Sequence, residues 1–94
     1  MSKTTFIWQY FCLTLIPPSH PTVFQYVKGG NKSKTSAIMR ATEIIYEYTN
    51  PFWMGDDSFT LEFTRGVVRQ YLDFLETEYK KGNIKVKEIY QKHP

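Results

Sequence analysis

The run FIWQYFCLTLI, Phe6 to Ile16, decides how the rest of the chain is read. Aromatic, β-branched and leucine residues fill both alternating positions along it, interrupted only by Gln9 and Thr14. A strand covered on both faces has that pattern, so the run is expected to form the central strand of a sheet. Pro17, Pro18, Ser19, His20 and Pro21 follow. Proline fixes φ and donates no backbone hydrogen bond, so these residues read as a stiff connector. Thr22 to Val27 then alternates Val23, Gln25 and Val27 against Phe24 and Tyr26, the pattern of a second strand.

Working outward, Gly29, Gly30 and Asn31 break that strand, and Ser33 or Thr35 offers an N-cap for a helix. From Ser36 to Tyr48 the apolar residues Ala37, Ile38, Ala41, Ile44, Ile45 and Tyr48 recur at helical spacing. Asn50 and Pro51 stop this helix, and Asn50 to Ser58 reads as a loop. Ser58 to Thr64 alternates Phe59, Leu61 and Phe63 with polar residues and is taken as a short strand, although Phe59, Phe63 and Val67 also fit one helix face. Beyond Gly66, Val68, Leu72, Leu75 and Tyr79 make the clearest helical stripe in the chain, with Gly82 and Asn83 as its stop. Ile84, Val86, Glu88 and Tyr90 alternate with Lys85, Lys87 and Ile89, suggesting a final edge strand. The expected order is β-β-α-β-α-β: a single α+β domain over residues 1–94, with two helices on a largely antiparallel sheet of about four strands.

Charge is segregated along the chain. None of the nine acidic residues precedes Glu43, so residues 1–42 carry +5. Residues 43–79 carry −6 and residues 80–94 carry +4, giving the net +3. Such blocks steer association and orient partners without naming a reaction. Two Trp, seven Tyr and seven Phe are more rings than one small core commonly needs, so some are expected at an interface.

The single cysteine, Cys12, excludes an intrachain disulfide, and His20 and His93 lie far apart, so no metal-ligand spacing is present. Cys12 sits in an apolar run without a neighbouring cation and reads as a small buried hydrophobe. Neither histidine has a nucleophile or carboxylate beside it in sequence; each reads as a solvated imidazole, and no catalytic residue is assigned. Asp56 and Asp57 lack the further oxygen ligands of a calcium loop. No metal and no cofactor are therefore expected. The apolar run after Lys3 is too short to span a bilayer and is followed by prolines rather than a small-residue cleavage site, so the expected location is the cytoplasm, with no membrane partner.

Three groups remain as binding candidates. Phe52, Trp53 and Met54 sit in the loop between Pro51 and Gly55, where large apolar side chains either cover the core or meet a partner. Lys28, Lys32 and Lys34 flank a glycine pair that leads into a helix N-terminus, an anion-binding arrangement. It is not a nucleotide-binding P-loop, because Lys28 and Ser33 stand where that motif needs glycines. Lys85 and Lys87, with Lys80, Lys81 and Lys92 nearby, form a second basic group. The bland alternatives are a solvated loop with an ordinary cap for the first lysine group and an aggregation-resistant edge for the second. Arg65, Arg69 and Gln70 are the one group suited to base readout, and acidic residues follow them. The leading expectation is a small non-enzymatic binding or regulatory protein whose partner is another protein, engaged through Phe52, Trp53 and Met54. The alternative is a nucleic-acid-binding accessory protein contacting phosphates through Lys28, Lys32, Lys34, Lys85 and Lys87.

Overall fold

A computed structural model of the chain describes residues 10–49 and 60–86. Every regular element among them is an α-helix. Residues 10–15 are helical (α1), followed by α2 (Pro21–Lys28), α3 (Asn31–Thr49) and α4 (Leu61–Lys80). The expectation of an α+β fold with a sheet is overturned.

The reasons are local. Pro21 does not stiffen a strand connector; it starts a helix, since a missing N–H costs nothing in a first turn and its φ already suits the helix. His20 is the N-cap, its Nδ1 accepting the amide of Thr22 at 3.1 Å. The residues buried in α2 are Thr22, Val23, Tyr26 and Val27, an i, i+1, i+4, i+5 set that suits one helix face. In the described part of the supposed central strand, Cys12 and Ile16 are fully buried one helical turn apart, and the Ile16 amide bonds the Cys12 carbonyl at 2.9 Å. Within the supposed strand over Ser58 to Thr64, Thr60 caps α4 instead, its hydroxyl accepting the Phe63 amide at 3.1 Å. Residues 84–86 follow α4 without strand pairing. The rest of that expected strand, including Lys87, lies outside the described residues.

The two expected helices exist and are longer than the apolar pattern indicated. α3 begins at Asn31 rather than Ser36, with the Gly30 carbonyl accepting the Lys34 amide at 3.0 Å. The suggested cap Thr35 lies inside it and bonds back to the Asn31 carbonyl. α4 begins before Gly66, which sits exposed within the helix, and the expected stripe holds: Val68, Leu72 and Leu75 are buried and Tyr79 is half-buried.

These faces close one apolar cluster. Cys12 and Ile16 of the α1 segment meet Val23, Tyr26 and Val27 of α2, Ala37, Ala41 and Ile45 of α3, and Val68, Tyr71, Leu72 and Leu75 of α4, with Val86 folded back onto them. Ala37 and Ala41 present no bulk beyond Cβ, which lets α3 approach its neighbours closely. Tyr71 reaches across to donate its hydroxyl to the Ile16 carbonyl at 2.8 Å, satisfying a backbone acceptor at the end of α1. Burial raises the pKa of this hydroxyl. The chain turns sharply between α2 and α3. A Cβ at Gly29 would lie 2.3 Å from both the Gln25 carbonyl oxygen and Ser33 Cβ, so only glycine fits there.

Candidate functional site

The fold brings the two lysine groups to one end of the molecule. α2 ends at Lys28, α3 begins three residues later, and the last turns of α4, which ends at Lys80, reach both through Tyr79 and Glu76. Lys28 Nζ stands 5.4 Å from the centroid of Phe24 and 5.5 Å from that of Tyr79, joining the end of α2 to the end of α4. Lys34 Nζ lies 2.7 Å from Glu76 and 5.4 Å from the Tyr26 ring centroid, joining the start of α3 to both other helices. Lys80 approaches the same Glu76 carboxylate at 3.9 Å. One turn earlier on α4, Asp73 accepts the hydroxyl of Tyr26. Burial, followed by this bond, raises the Tyr26 pKa, so the hydroxyl stays protonated and a donor.

The end of α4 shapes the rest of the site. Gly82 takes a φ of +82°, the left-handed conformation that favours glycine, and the Asn83 and Gly82 amides bond the carbonyls of Glu78 and Tyr79 at 2.9 and 3.0 Å. This is a Schellman stop. It turns the chain back so that Val86 enters the core while Lys85 stays exposed. Lys81 pairs with Glu78 at 3.8 Å yet keeps 63% of its side chain exposed. Lys32 and Lys85 are exposed and form no ion pair among the described residues.

Helix electrostatics divides these lysines into two kinds. Lys28 and Lys80 occupy last turns, where the carbonyl end of a helix favours a cation, and this alone accounts for them. Lys32 and Lys34 occupy the first turn of α3, which has no acidic residue. A cation there opposes the helix dipole by about 0.3–1 kcal/mol, and the free amides of the turn point the same way. Glu76 offsets this for Lys34. Nothing among the described residues offsets it for Lys32.

Of the residues expected to bind a partner, Lys28 and Lys34 are joined to the end of α4, Lys32 shares the first turn of α3 with Lys34, and Lys85 is exposed beyond the α4 stop, while Lys87, Phe52, Trp53 and Met54 lie outside the described residues. Sequence reasoning missed Glu76, Asp73 and Tyr26 as members of the same cluster. The Glu76 to Lys80 spacing is a visible helical pair, whereas Lys34 to Glu76 depends on how α3 and α4 pack.

Other candidates have structural duties. Cys12 is fully buried and its thiol is pushed up to about 12 by desolvation, so thiolate chemistry is suppressed. His20 is half-buried rather than solvated, and its pKa is lowered, first by burial and then by the charge of Arg40. No group of three or more His, Cys, Asp and Glu able to hold a metal ion occurs among the described residues. No helix among them is long and apolar enough to cross a membrane. No protein-family model, curated protein or solved structure matches the chain.

Proposed function

We propose that the chain is a non-enzymatic, cytoplasmic nucleic-acid-binding module that contacts the phosphate backbone through its lysine end. The observation that supports this most strongly is that Lys28 and Lys34, at the α2–α3 junction, meet the end of α4 at Tyr79, Glu76 and Lys80, so lysines far apart in sequence are brought together. Lysine ammonium groups are point charges that attract phosphates without reading bases, so binding is expected to be indifferent to sequence. The free, buried thiol of Cys12 needs no oxidising compartment, which supports the cytoplasmic reading.

A protein partner is the second reading. The exposure of Leu13, Met39 and Phe74 favours it, but scattered apolar side chains are ordinary on a domain surface. Recovery from native lysate with and without nuclease separates the two, because only a nucleic-acid bridge is lost on digestion.

The direct test is fluorescence anisotropy of a labelled oligonucleotide across a salt series. Expected is binding at about 50 mM salt that weakens steeply, with a log–log slope corresponding to roughly three to five phosphate contacts. Lys32→Glu combined with Lys85→Glu should weaken it further. Absence of binding at low salt, or a slope near zero, overturns the proposal.

A further inference from the structure

We propose that Glu76 is a built-in competitor for phosphate: its carboxylate occupies the position between Lys34 and Lys80 that a backbone phosphate of bound nucleic acid would take. This inference rests on the nucleic-acid reading above and concerns how that site is regulated. The two ammonium groups come from different helices and converge on one oxygen, Glu76 Oε2, at 2.7 and 3.9 Å. An anion is thus already held where the lysine end is most inviting. The Glu76 side chain is 15% exposed, that of Lys34 31% and that of Lys80 71%, so the carboxylate and Lys34 lie at the inner edge while Lys80 opens outward.

Lys34 is also stacked near Tyr26, whose hydroxyl is held by Asp73, so the ammonium is positioned from two sides. A phosphate arriving at this end has to draw Lys80, and in part Lys34, away from Glu76 while meeting the repulsion of the carboxylate left behind. Glu76 thereby lowers affinity and reduces the number of counterions released on binding, because two lysines are partly neutralised before the ligand arrives. Binding is then favoured for ligands with several adjacent phosphates, which can reach the exposed Lys32 and Lys81 as well as Lys80.

The test compares wild type, Glu76→Gln and the control Glu47→Gln for a single-stranded oligonucleotide at several salt concentrations. Glu47 is exposed near the opposite end of α3, so its variant removes the same charge away from the lysines. Expected for Glu76→Gln is binding about five- to tenfold tighter at low salt, with the log–log slope steeper by about 0.7 to 1.4, as for one or two added contacts. The control should change affinity less than about twofold, since charges beyond a Debye length are largely screened. Unchanged or weaker binding by folded Glu76→Gln, with wild type binding normally, overturns the inference and leaves the functional reading standing. Failure of wild type to bind at low salt removes both. If Glu76→Gln does not fold, Glu76→Asp withdraws the carboxylate while keeping its charge; a smaller gain in affinity is then expected, and no gain overturns the inference.

Discussion

Between the helices, Cys12, Ile16, Val23, Ile45, Val68 and Leu72 lose all contact with solvent, whereas at the end of α4 Lys80 and Lys81 keep 71% and 63% of their side chains exposed even while ion-paired. The seam is held by burial, which scales with apolar area and tolerates no vacancy. The lysine end is held by the partly buried Lys34–Glu76 pair, by more exposed pairs each worth about 0–1 kcal/mol, and by rings facing the ammonium groups of Lys28 and Lys34. The difference teaches that the fold and the proposed binding surface rest on different forces and can be tested separately. Seam substitutions should cost stability, and changes at the lysine end should alter association at nearly constant stability.

The largest effect is expected in the seam. Leu72→Ala should destabilise the protein by about 2–5 kcal/mol, measured by chemical denaturation, because a fully buried side chain leaves a cavity among rigid helices. A loss under about 1 kcal/mol would show that this face is not the core. Next is the joint between the two regions. Gly29→Ala should cost about 1–3 kcal/mol, since its Cβ meets backbone and the Ser33 side chain, and oligonucleotide affinity should fall with it as the α2–α3 turn loosens. Wild-type stability in this variant would contradict the described turn.

Gly66 supplies the opposite sign. It lies exposed inside α4, and a Cβ there meets nothing within 4 Å, so Gly66→Ala should stabilise by about 0.5–1 kcal/mol without changing binding. Destabilisation would count against the helix running through this position.

The smallest expected effect is a pH dependence at the start of α2. His20 accepts the Thr22 amide through Nδ1, which protonation removes, and its folded pKa lies below the ordinary 6.5. The unfolded chain therefore takes up a proton first as pH falls. The contribution of His20 is fully present above about 6.5 and is lost as pH drops below that value through the folded pKa. Asparagine also caps helices but does not titrate. Stability measured between pH 7.5 and 5 should accordingly fall more steeply in wild type than in His20→Asn, and parallel curves would remove the assigned role.

Legibility of the fold followed element length. The stripe Val68, Leu72, Leu75 was readable because a twenty-residue helix repeats its apolar period several times. In α2 only eight residues are available, and Val23 and Val27 satisfy a period of two as well as of four. What distinguished the alternatives was His20 followed by Pro21, a helix start that proline content alone disguised as a connector. The run ending at Ile16 is apolar all round, so periodicity could not separate a buried helix from a buried strand, and its β-branched and aromatic residues tipped the reading towards strand. At the site, both lysine groups were visible as groups. Their meeting was not, because it depends on α3 starting and α4 ending at the same place, and in a sheet-based fold Lys85 would have lain on an edge strand. The pairing of Lys34 with Glu76 follows from that packing and left no mark in sequence.

The central claim is that the two lysine groups form one binding surface. Backbone amide chemical shifts of labelled protein titrated with a single-stranded oligonucleotide test it most directly. The account predicts that amides around Lys28 to Ser36 and around Glu76 to Lys85 shift together along a single saturation curve, while those of residues 43–49 and 61–65 stay nearly fixed. Shifts confined to one lysine group, or centred at the opposite end of α3 and α4, would contradict it.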